Sequence, residues 1–419
     1  MDGPMTIIKS FDSGRIGFGS DRDVPPVTTT ESGSVGDFQH RAAAVAAIAA
    51  DNAAAVDRDA RFPHEALDAT RRERLLGIMV PEDLGGESAS TADVVDICYR
   101  LGQACSASAM IFAMHQVKVA CLIRHGRGSP WLESFLQRLC SEQLLLASST
   151  TEGAKGGNIR SSDAPIRYDG SHIALERDAT VISYGSDADG IVTTARRSAD
   201  AASSDQVLVV FAKEDYSLTP TVPWNTLGMR GTCSGGFTLK ASGFKDQILP
   251  VPYEQIHSRT MVPSAHLMWS GVWAGIAAGA VTRAQASLRM AARKSAGTPP
   301  PSTPHFAKAS SDLTILRGLI TSSLRQYEAA YGDDRALSSL EFQTRIGMTK
   351  VEASELAVSI VLSALRACGL SGYRNDNPFS VERHLRDILS SPLMISNDRI
   401  RSNIGVNSLL NPVPTGLAD

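Results

Sequence analysis

Several features that define other protein classes are missing from this 419-residue sequence. Its six cysteines form no CxxC pair, which gives no pattern for a metal site and favours reduced, mostly buried thiols. The sequence contains neither a GxGxxG nor a GxxxxGK[ST] motif, so no Rossmann nucleotide site and no P-loop are predicted. The longest apolar run, residues 272–281, is too short to span a bilayer, and membrane insertion is not expected. A formal net charge of −3 gives no broad attraction to nucleic acid.

The first 37 residues differ in composition from the rest of the chain. They are rich in Gly, Ser, Asp, Pro and Thr and have no apolar period, which predicts a flexible leader. They contain no basic segment followed by an apolar segment, so no secretory signal is expected. The sequence therefore predicts a cytoplasmic protein.

Periodicity divides the remaining sequence into three blocks. Residues 38–143 have the apolar spacing of helices. Residues 144–258 contain short strand-like runs separated by Gly, Asp and Ser turns, which is typical of a small β domain. Residues 259–412 are again helical in pattern, with a proline-rich break at 298–304. The sequence predicts an α+β protein with an N-terminal helical domain, a central small β domain and a C-terminal helical domain.

Three motifs occur in an order that points to one family. The run Gly77–Gly86 contains Pro81-Glu82 and ends in Gly-Gly, and the run Leu227–Ser234 reads LGMRGTCS. Near the C-terminus, residues 366–400 carry a third set: Gly369, Gly372, Tyr373, Pro378, Glu382, Arg383, Arg386 and Asp387. Together they resemble the acyl-CoA dehydrogenase superfamily over about residues 40–410. The resemblance implies an α–β–α fold ending in a four-helix bundle, and FAD rather than FMN as the cofactor.

The resemblance also implies where the cofactor and substrate would bind. Thr150 and Thr151 align with the family's V-T-E strand end, and Ser183 aligns with its W-I-T segment, where Val181 replaces the aromatic residue. Each could instead be an ordinary turn residue, but their common register favours a cofactor role. The predicted cofactor-binding residues are Ser149, Thr150, Thr151, Gly156, Gly157, Ser183, Arg293, Arg366, Gly369 and Asn397. The predicted substrate-binding residues are Arg230, Ser234 and Ser396.

The catalytic carboxylate of the family is missing from both of its usual positions. The resemblance places Ile395 at one position and Ala265 at the other. The candidates for a substitute base are His115, His266 and Asp398, although a structural role is the simpler interpretation for each of them taken singly. Glu382 is a fourth candidate, although an ion-pair set with the neighbouring arginines is the simpler interpretation for it and for Asp387.

Three functions follow from the resemblance. The first is α,β-dehydrogenation of an acyl thioester on CoA or a carrier protein, with an electron-acceptor flavoprotein as partner. The second is a two-component monooxygenase that uses O₂ and reduced flavin from a partner flavin reductase, and needs no base for an α proton. The third is a flavin-binding homologue without turnover. The resemblance further implies a homodimer or homotetramer.

Overall fold

The computed structural model describes residues 38–152, 161–295 and 298–409. The predicted leader and the predicted cofactor glycines Gly156 and Gly157 lie outside these ranges. Within them, one continuous cluster of buried hydrophobic side chains extends through the helical and strand segments.

Five α-helices precede the first strand in the described part of the chain. They are Phe38–Arg58 (α1), His64–Arg72 (α2), Thr91–Ala104 (α3), Ser106–His125 (α4) and Pro130–Glu142 (α5). The start of α3 is fixed by a capping box, because Ser90 Oγ accepts from the Asp93 N–H at 3.1 Å and the Asp93 carboxylate accepts from the Ser90 N–H at 2.9 Å. Helix α4 is long and apolar enough to cross a membrane, but 89% of its apolar window is buried in the protein, as in the core helix of a globular domain.

The middle of the chain forms two small sheets. The strands are Leu146–Ser149 (β1), Arg167–Asp169 (β2), His172–Ala179 (β3), Gly190–Arg196 (β4), Gln206–Ala212 (β5), Tyr216–Val222 (β6) and Gly236–Phe244 (β7). One sheet has the order β1-β4-β5 and the other β2-β3-β7-β6. Strand β1 runs parallel to β4 with Leu146 opposite Gly190, and the other pairs are antiparallel.

The C-terminal block is helical. Its elements are Tyr253–Ile256 (α6), a π-turn at His257–Met261, Val262–Lys294 (α7), Thr303–Ala330 (α8), Asp334–Leu337 (α9), Leu340–Cys368 (α10), Leu370–Tyr373 (α11), Glu382–Ile388 (α12) and Asn397–Ser408 (α13). Helix α7 packs against α3, α8 and α10, while α12 and α13 pack on α10. The α3–α7 crossing is close because Gly275 faces Gly102, and a Cβ at Gly275 would lie 2.3 Å from the Tyr99 carbonyl oxygen.

Candidate active site

A cavity of about 780 Å³ lies where the β domain meets the helical blocks. Its walls come from α4, the chain after β1 and after β3, the 224–234 loop, the start of α7 and residues 386–395. The side chains with polar atoms that line it are Lys118, Ser148, Thr150, Thr151, Thr180, Ser183, Trp224, Thr226, Thr232, Ser234, His266, Trp269, Arg386 and Ser390. Among the described residues, no Asp or Glu contributes to the lining.

The β-domain wall presents hydroxyl groups. Thr150, Thr151 and Ser183, all predicted cofactor ligands, line the cavity together. The predicted ligand Ser149 does not, because side chains alternate along a strand and its neighbour Ser148 takes the cavity side. The Ser149 Oγ is buried without a hydrogen-bond partner, and its carbonyl accepts from Thr193 Oγ1 at 2.8 Å. The structure thus leaves three of these four residues in position to contact a ligand.

A chain of hydroxyl groups reaches this wall from the LGMRGTCS loop. Thr232 Oγ1 and Ser234 Oγ are 2.7 Å apart, and Ser234 Oγ lies 2.8 Å from Ser183 Oγ. Thr232 Oγ1 is also 2.8 Å from the Met229 carbonyl oxygen, which can only accept. Each hydroxyl has one proton, so Thr232 donates either to the Met229 carbonyl or to Ser234. When Thr232 donates to Ser234, Ser234 donates to Ser183 and the Ser183 proton is left for a ligand. When Thr232 donates to Met229, the order is reversed and Ser183 offers a ligand only a lone pair.

His266 is the only predicted catalytic histidine that lines the cavity in the described part of the chain. Its Nδ1 lies 3.2 Å from the Ile346 carbonyl oxygen. Because that oxygen accepts, the proton is on Nδ1 and the lone pair is on Nε2. Burial lowers the pKa of the ring to about 4, and the hydrogen bond to Ile346 only partly offsets this. At neutral pH His266 is an uncharged hydrogen-bond acceptor and a weak base.

Lys118 is a cavity residue that no motif in the sequence predicted. It lies on α4 with a side chain that is only 4% exposed, and its Nζ is 3.6 Å from Met261 Sδ. Burial lowers its pKa to about 8. The signal in the sequence was a lysine in the middle of a mostly apolar helix, and Lys118 shares one helical stripe with Met110 and Met114.

The two positions where the resemblance places a carboxylate both line the cavity as aliphatic residues. They are Ala265 near the start of α7 and Ile395 just before α13. Ile395 has a φ of 52°, an uncommon conformation for a β-branched residue. The buried Lys350 holds it there, with Nζ 3.0 Å from the Ile395 carbonyl oxygen and 2.6 Å from Asn397 Oδ1.

Three predicted residues, His115, Asn397 and Asp398, do not line the cavity. Both ring nitrogens of His115 are occupied, since Nε2 is 2.8 Å from the Leu76 carbonyl oxygen and Nδ1 accepts from the Leu146 N–H at 3.0 Å. The structure thus gives His115 a structural role in joining α4 to β1, and no access to the cavity. Asn397 binds Lys350, and Asp398 is exposed in the first turn of α13.

Two further predictions fall on helix ends. Arg230, predicted to bind substrate, instead donates from Nε to the Asp57 carbonyl oxygen at 2.8 Å and so caps the end of α1. Ser396 caps the start of α13. Neither residue lines the cavity. The remaining predicted cofactor residues are exposed at the C-terminal ends of α7 and α10, away from the lining of this chain's cavity: Arg293, Arg366 and Gly369.

Glu382 does not line the cavity either, but it belongs to an ion-pair set at its edge. Arg386 Nη2 lies 2.5 Å from Glu382 Oε2 and 2.5 Å from Asp57 Oδ2. The buried Asp387 accepts from the Met229 N–H at 2.6 Å. These contacts join α12 to α1 and to the 224–234 loop, which agrees with the structural interpretation of both carboxylates.

Comparison with known proteins matches two parts of the chain to one family. Residues 37–143 match the family model "Acyl-CoA dehydrogenase, N-terminal domain", and residues 267–391 match "Acyl-CoA dehydrogenase, C-terminal domain". Cyclohex-1-ene-1-carbonyl-CoA dehydrogenase of Geobacter metallireducens is 26% identical over 87% of this chain and 94% of its own length. The probable FMNH₂-dependent monooxygenase SfnC of Pseudomonas putida is 23% identical over 81% of this chain and 87% of its own length.

Solved structures of the same fold include a monooxygenase and a nitrososynthase. FMN-bound TdsC from Paenibacillus sp. A11-2, a dibenzothiophene monooxygenase, superposes with a TM-score of 0.79 at 18% identity, covering 90% of this chain and 98% of TdsC. A nitrososynthase from Micromonospora carbonacea gives a TM-score of 0.77 at 20% identity, and the match covers 88% of this chain and 95% of the nitrososynthase. The motifs, the α–β–α order and the two family models agree: the chain belongs to the acyl-CoA dehydrogenase superfamily of flavin-dependent oxidoreductases.

Proposed function

We propose that this protein is a flavin-dependent monooxygenase that receives reduced flavin from a partner reductase and oxygenates a small, largely apolar molecule. One observation carries the proposal. The described residues that line the cavity include no carboxylate, and both positions that would hold the base for dehydrogenation are aliphatic, Ala265 and Ile395. Monooxygenation with reduced flavin needs no base for an α proton, so the same cavity suits it.

The residues present fit a flavin ring. Thr150, Thr151 and Ser183 supply hydroxyl groups on one wall, where hydrogen bonds can stabilise the negative charge of a reduced flavin. The surrounding wall is mainly apolar, and its volume lies in the range of about 300–1,000 Å³ that is usual for cofactor and ligand sites. Bound there, reduced flavin would supply the activation of O₂.

The other side chains have supporting roles. Met110, Met114 and Trp269 exclude water from the interior, which protects a reactive reduced cofactor from unproductive reaction. His266 offers the Nε2 lone pair to a hydroxyl or amide proton of the substrate. Neither role requires a group that changes protonation at neutral pH.

Acyl-thioester dehydrogenation is the second candidate, favoured by the similarity to dehydrogenases such as the Geobacter enzyme. Its difficulty is the missing base. A positioned general base contributes about 10²–10⁴ in rate, or about 3–5 kcal/mol of barrier. His266, with a pKa lowered to about 4, is a poor replacement. We also propose a cytoplasmic homodimer or homotetramer, in which the exposed Arg293 and Arg366 would be free to contact cofactor held by a partner subunit.

The deciding experiment needs no substrate. The protein is loaded in turn with FMN and FAD, reduced without oxygen and mixed with oxygenated buffer while the flavin spectrum is followed. A monooxygenase is expected to reoxidise through a long-lived, spectrally distinct stage, and addition of a reductase and substrate should then give an oxygenated product. Direct, single-phase reoxidation together with turnover of an acyl-CoA and an artificial electron acceptor would contradict the proposal. Failure to bind either flavin would contradict both enzymatic candidates.

A further inference from the structure

Helix α4 presents one charged group to the cavity. Its other lining residues are Met110, Met114 and Val117, which lie with Lys118 on one stripe at helical spacing. Lys118 is only 4% exposed to solvent, and it lines the cavity. A buried ammonium costs several kcal/mol unless a partner compensates it.

The described surroundings of Lys118 contain no such partner. The atom within reach of Nζ is Met261 Sδ at 3.6 Å, and a thioether is only a weak acceptor. The nearby Cys121 is buried and neutral, since burial raises its pKa to about 12. The other lining cation, Arg386, is already neutralised by Asp57 and Glu382. The cavity therefore has an unbalanced positive charge on its helical wall.

We infer that Lys118 binds an anionic oxygen of the substrate, so that the substrate class is a small apolar organic anion, a carboxylate or phenolate on a hydrocarbon ring. The inference rests on the proposed function in taking this cavity as the substrate site. An anion beside Nζ would supply the missing counter-charge and the oxygen acceptors that an ammonium requires. The apolar side chains around it, Met114, Val117 and Trp269, would hold the hydrocarbon part.

The position of Lys118 favours the substrate over the flavin. The hydroxyl groups that suit the flavin ring belong to the β domain, at Thr150, Thr151 and Ser183. Lys118 belongs to α4 and contacts the residue that precedes α7, Met261. With the flavin ring bound by the β-domain hydroxyl groups, the helical wall of the cavity is available to the substrate.

The test is equilibrium binding to protein loaded with oxidised FMN, so no turnover is involved. Three acids are used as probes, benzoate, cyclohexanecarboxylate and 2-naphthoate, each compared with its own primary amide by calorimetry. Wild-type protein is expected to bind at least one acid about tenfold or more tightly than the matching amide. Lys118→Met, which keeps the length of the side chain, should bring that ratio close to one, while Lys118→Arg should preserve it. The exposed Lys240→Met serves as the control and should leave the ratio unchanged.

Two results would overturn the inference. One is an acid-to-amide ratio near one for all three pairs in wild-type protein. The other is a Lys118→Met variant with an unchanged ratio and a weakened affinity for FMN, which would assign the ammonium to the cofactor. Because binding is measured without O₂ or an electron acceptor, either result is independent of whether the reaction is oxygenation or dehydrogenation.

Discussion

Two buried lysines show how differently the same side chain can be used in this protein. Burial lowers the pKa of both Lys118 and Lys350 to about 8. Lys350 Nζ donates to the carbonyl oxygens of Ser391 at 3.1 Å and Ile395 at 3.0 Å, and to Asn397 Oδ1. Among the residues that the structure describes, Lys118 has only the thioether of Met261 as a partner. The three oxygen acceptors of Lys350 indicate a structural role. The single sulfur contact of Lys118 fits the inference that its partner is a bound ligand.

This difference predicts that replacing each lysine by methionine changes the free energy of unfolding in opposite directions. Lys118→Met should stabilise the apoprotein by about 2–4 kcal/mol, because it removes a desolvated charge and leaves no oxygen acceptor without a donor. Lys350→Met should destabilise it by a similar amount, about 2–4 kcal/mol, because two backbone carbonyls and an amide oxygen lose their donor. The free energy of unfolding in urea, measured without flavin, checks both. Two changes of the same sign would show that the acceptors do not decide the role of a buried lysine.

At the scale of elements, the crossing of α3 and α7 positions the helical wall of the cavity. Helix α7 carries Ala265 and His266 near its start, and Gly275 lies farther along where α7 meets α3. A Cβ there would lie 2.3 Å from the Tyr99 carbonyl oxygen and 2.9 Å from the Gly102 Cα, both backbone atoms. Neither can rotate away, so any side chain at 275 must separate the helices.

We therefore expect Gly275→Ala to cost about 1–3 kcal/mol of stability through overpacking, and to weaken flavin binding by shifting α7. The matched control is Gly318→Ala in the middle of α8, where a Cβ meets no atom within 4 Å. That change should stabilise by about 0.5–1 kcal/mol, because alanine is the better helix former. Thermal unfolding and flavin titration give both quantities. Equal behaviour of the two variants would mean that the crossing tolerates a methyl group.

The predicted helical and strand blocks depend on the apolar pattern, which is clear in some elements and weak in others. Helix α4 lies in the predicted helical block 38–143, where a long apolar run leaves 17 of its residues buried. Strand β6 was not predicted, since its burial is slight and Pro220 interrupts it. Strand β3 ends at Ala179, so Ser183 lies in the turn that follows the strand. Residues 247–250 form only an isolated bridge, Val209 to Ile248.

The candidate site was predictable only in part, for a related reason. Motif register brought Thr150, Thr151, Ser183 and Ser234 to one cavity, because they follow strands or lie in a loop whose order the family shares. It could not show that Ser149 faces away, which depends on strand alternation, nor that Arg230 is occupied by the end of α1. These facts depend on contacts between distant segments, 173 residues apart for Arg230 and Asp57.

At the scale of the whole molecule, buried histidines make the free energy of unfolding depend on pH under acidic conditions. His115, His125 and His266 have pKa values lowered to about 4, and His384 to about 3, with burial as the largest cause in each case. In the unfolded chain these rings titrate near the ordinary value of about 6.5. Between pH 6.5 and 4 the unfolded state therefore binds more protons than the folded state. The free energy of unfolding must fall as the pH is lowered through this window, and the rings contribute nothing above it.

We expect a decrease of up to about 1.4 kcal/mol per pH unit for each ring, measured by urea unfolding at pH 7.5, 6.0 and 5.0. The buried Asp387, whose pKa burial raises above its usual range, contributes with the opposite sign and reduces the slope. His125→Gln keeps a donor or acceptor for Thr260 Oγ1, which is 2.7 Å from His125 Nε2, and should flatten the profile by about one proton. His305→Gln, at an exposed position on α8, should leave it unchanged. A wild-type stability that is equal at pH 7.5 and 5.0 would mean that these rings become protonated in the folded protein, and that His266 carries a charge inside the cavity rather than a lone pair.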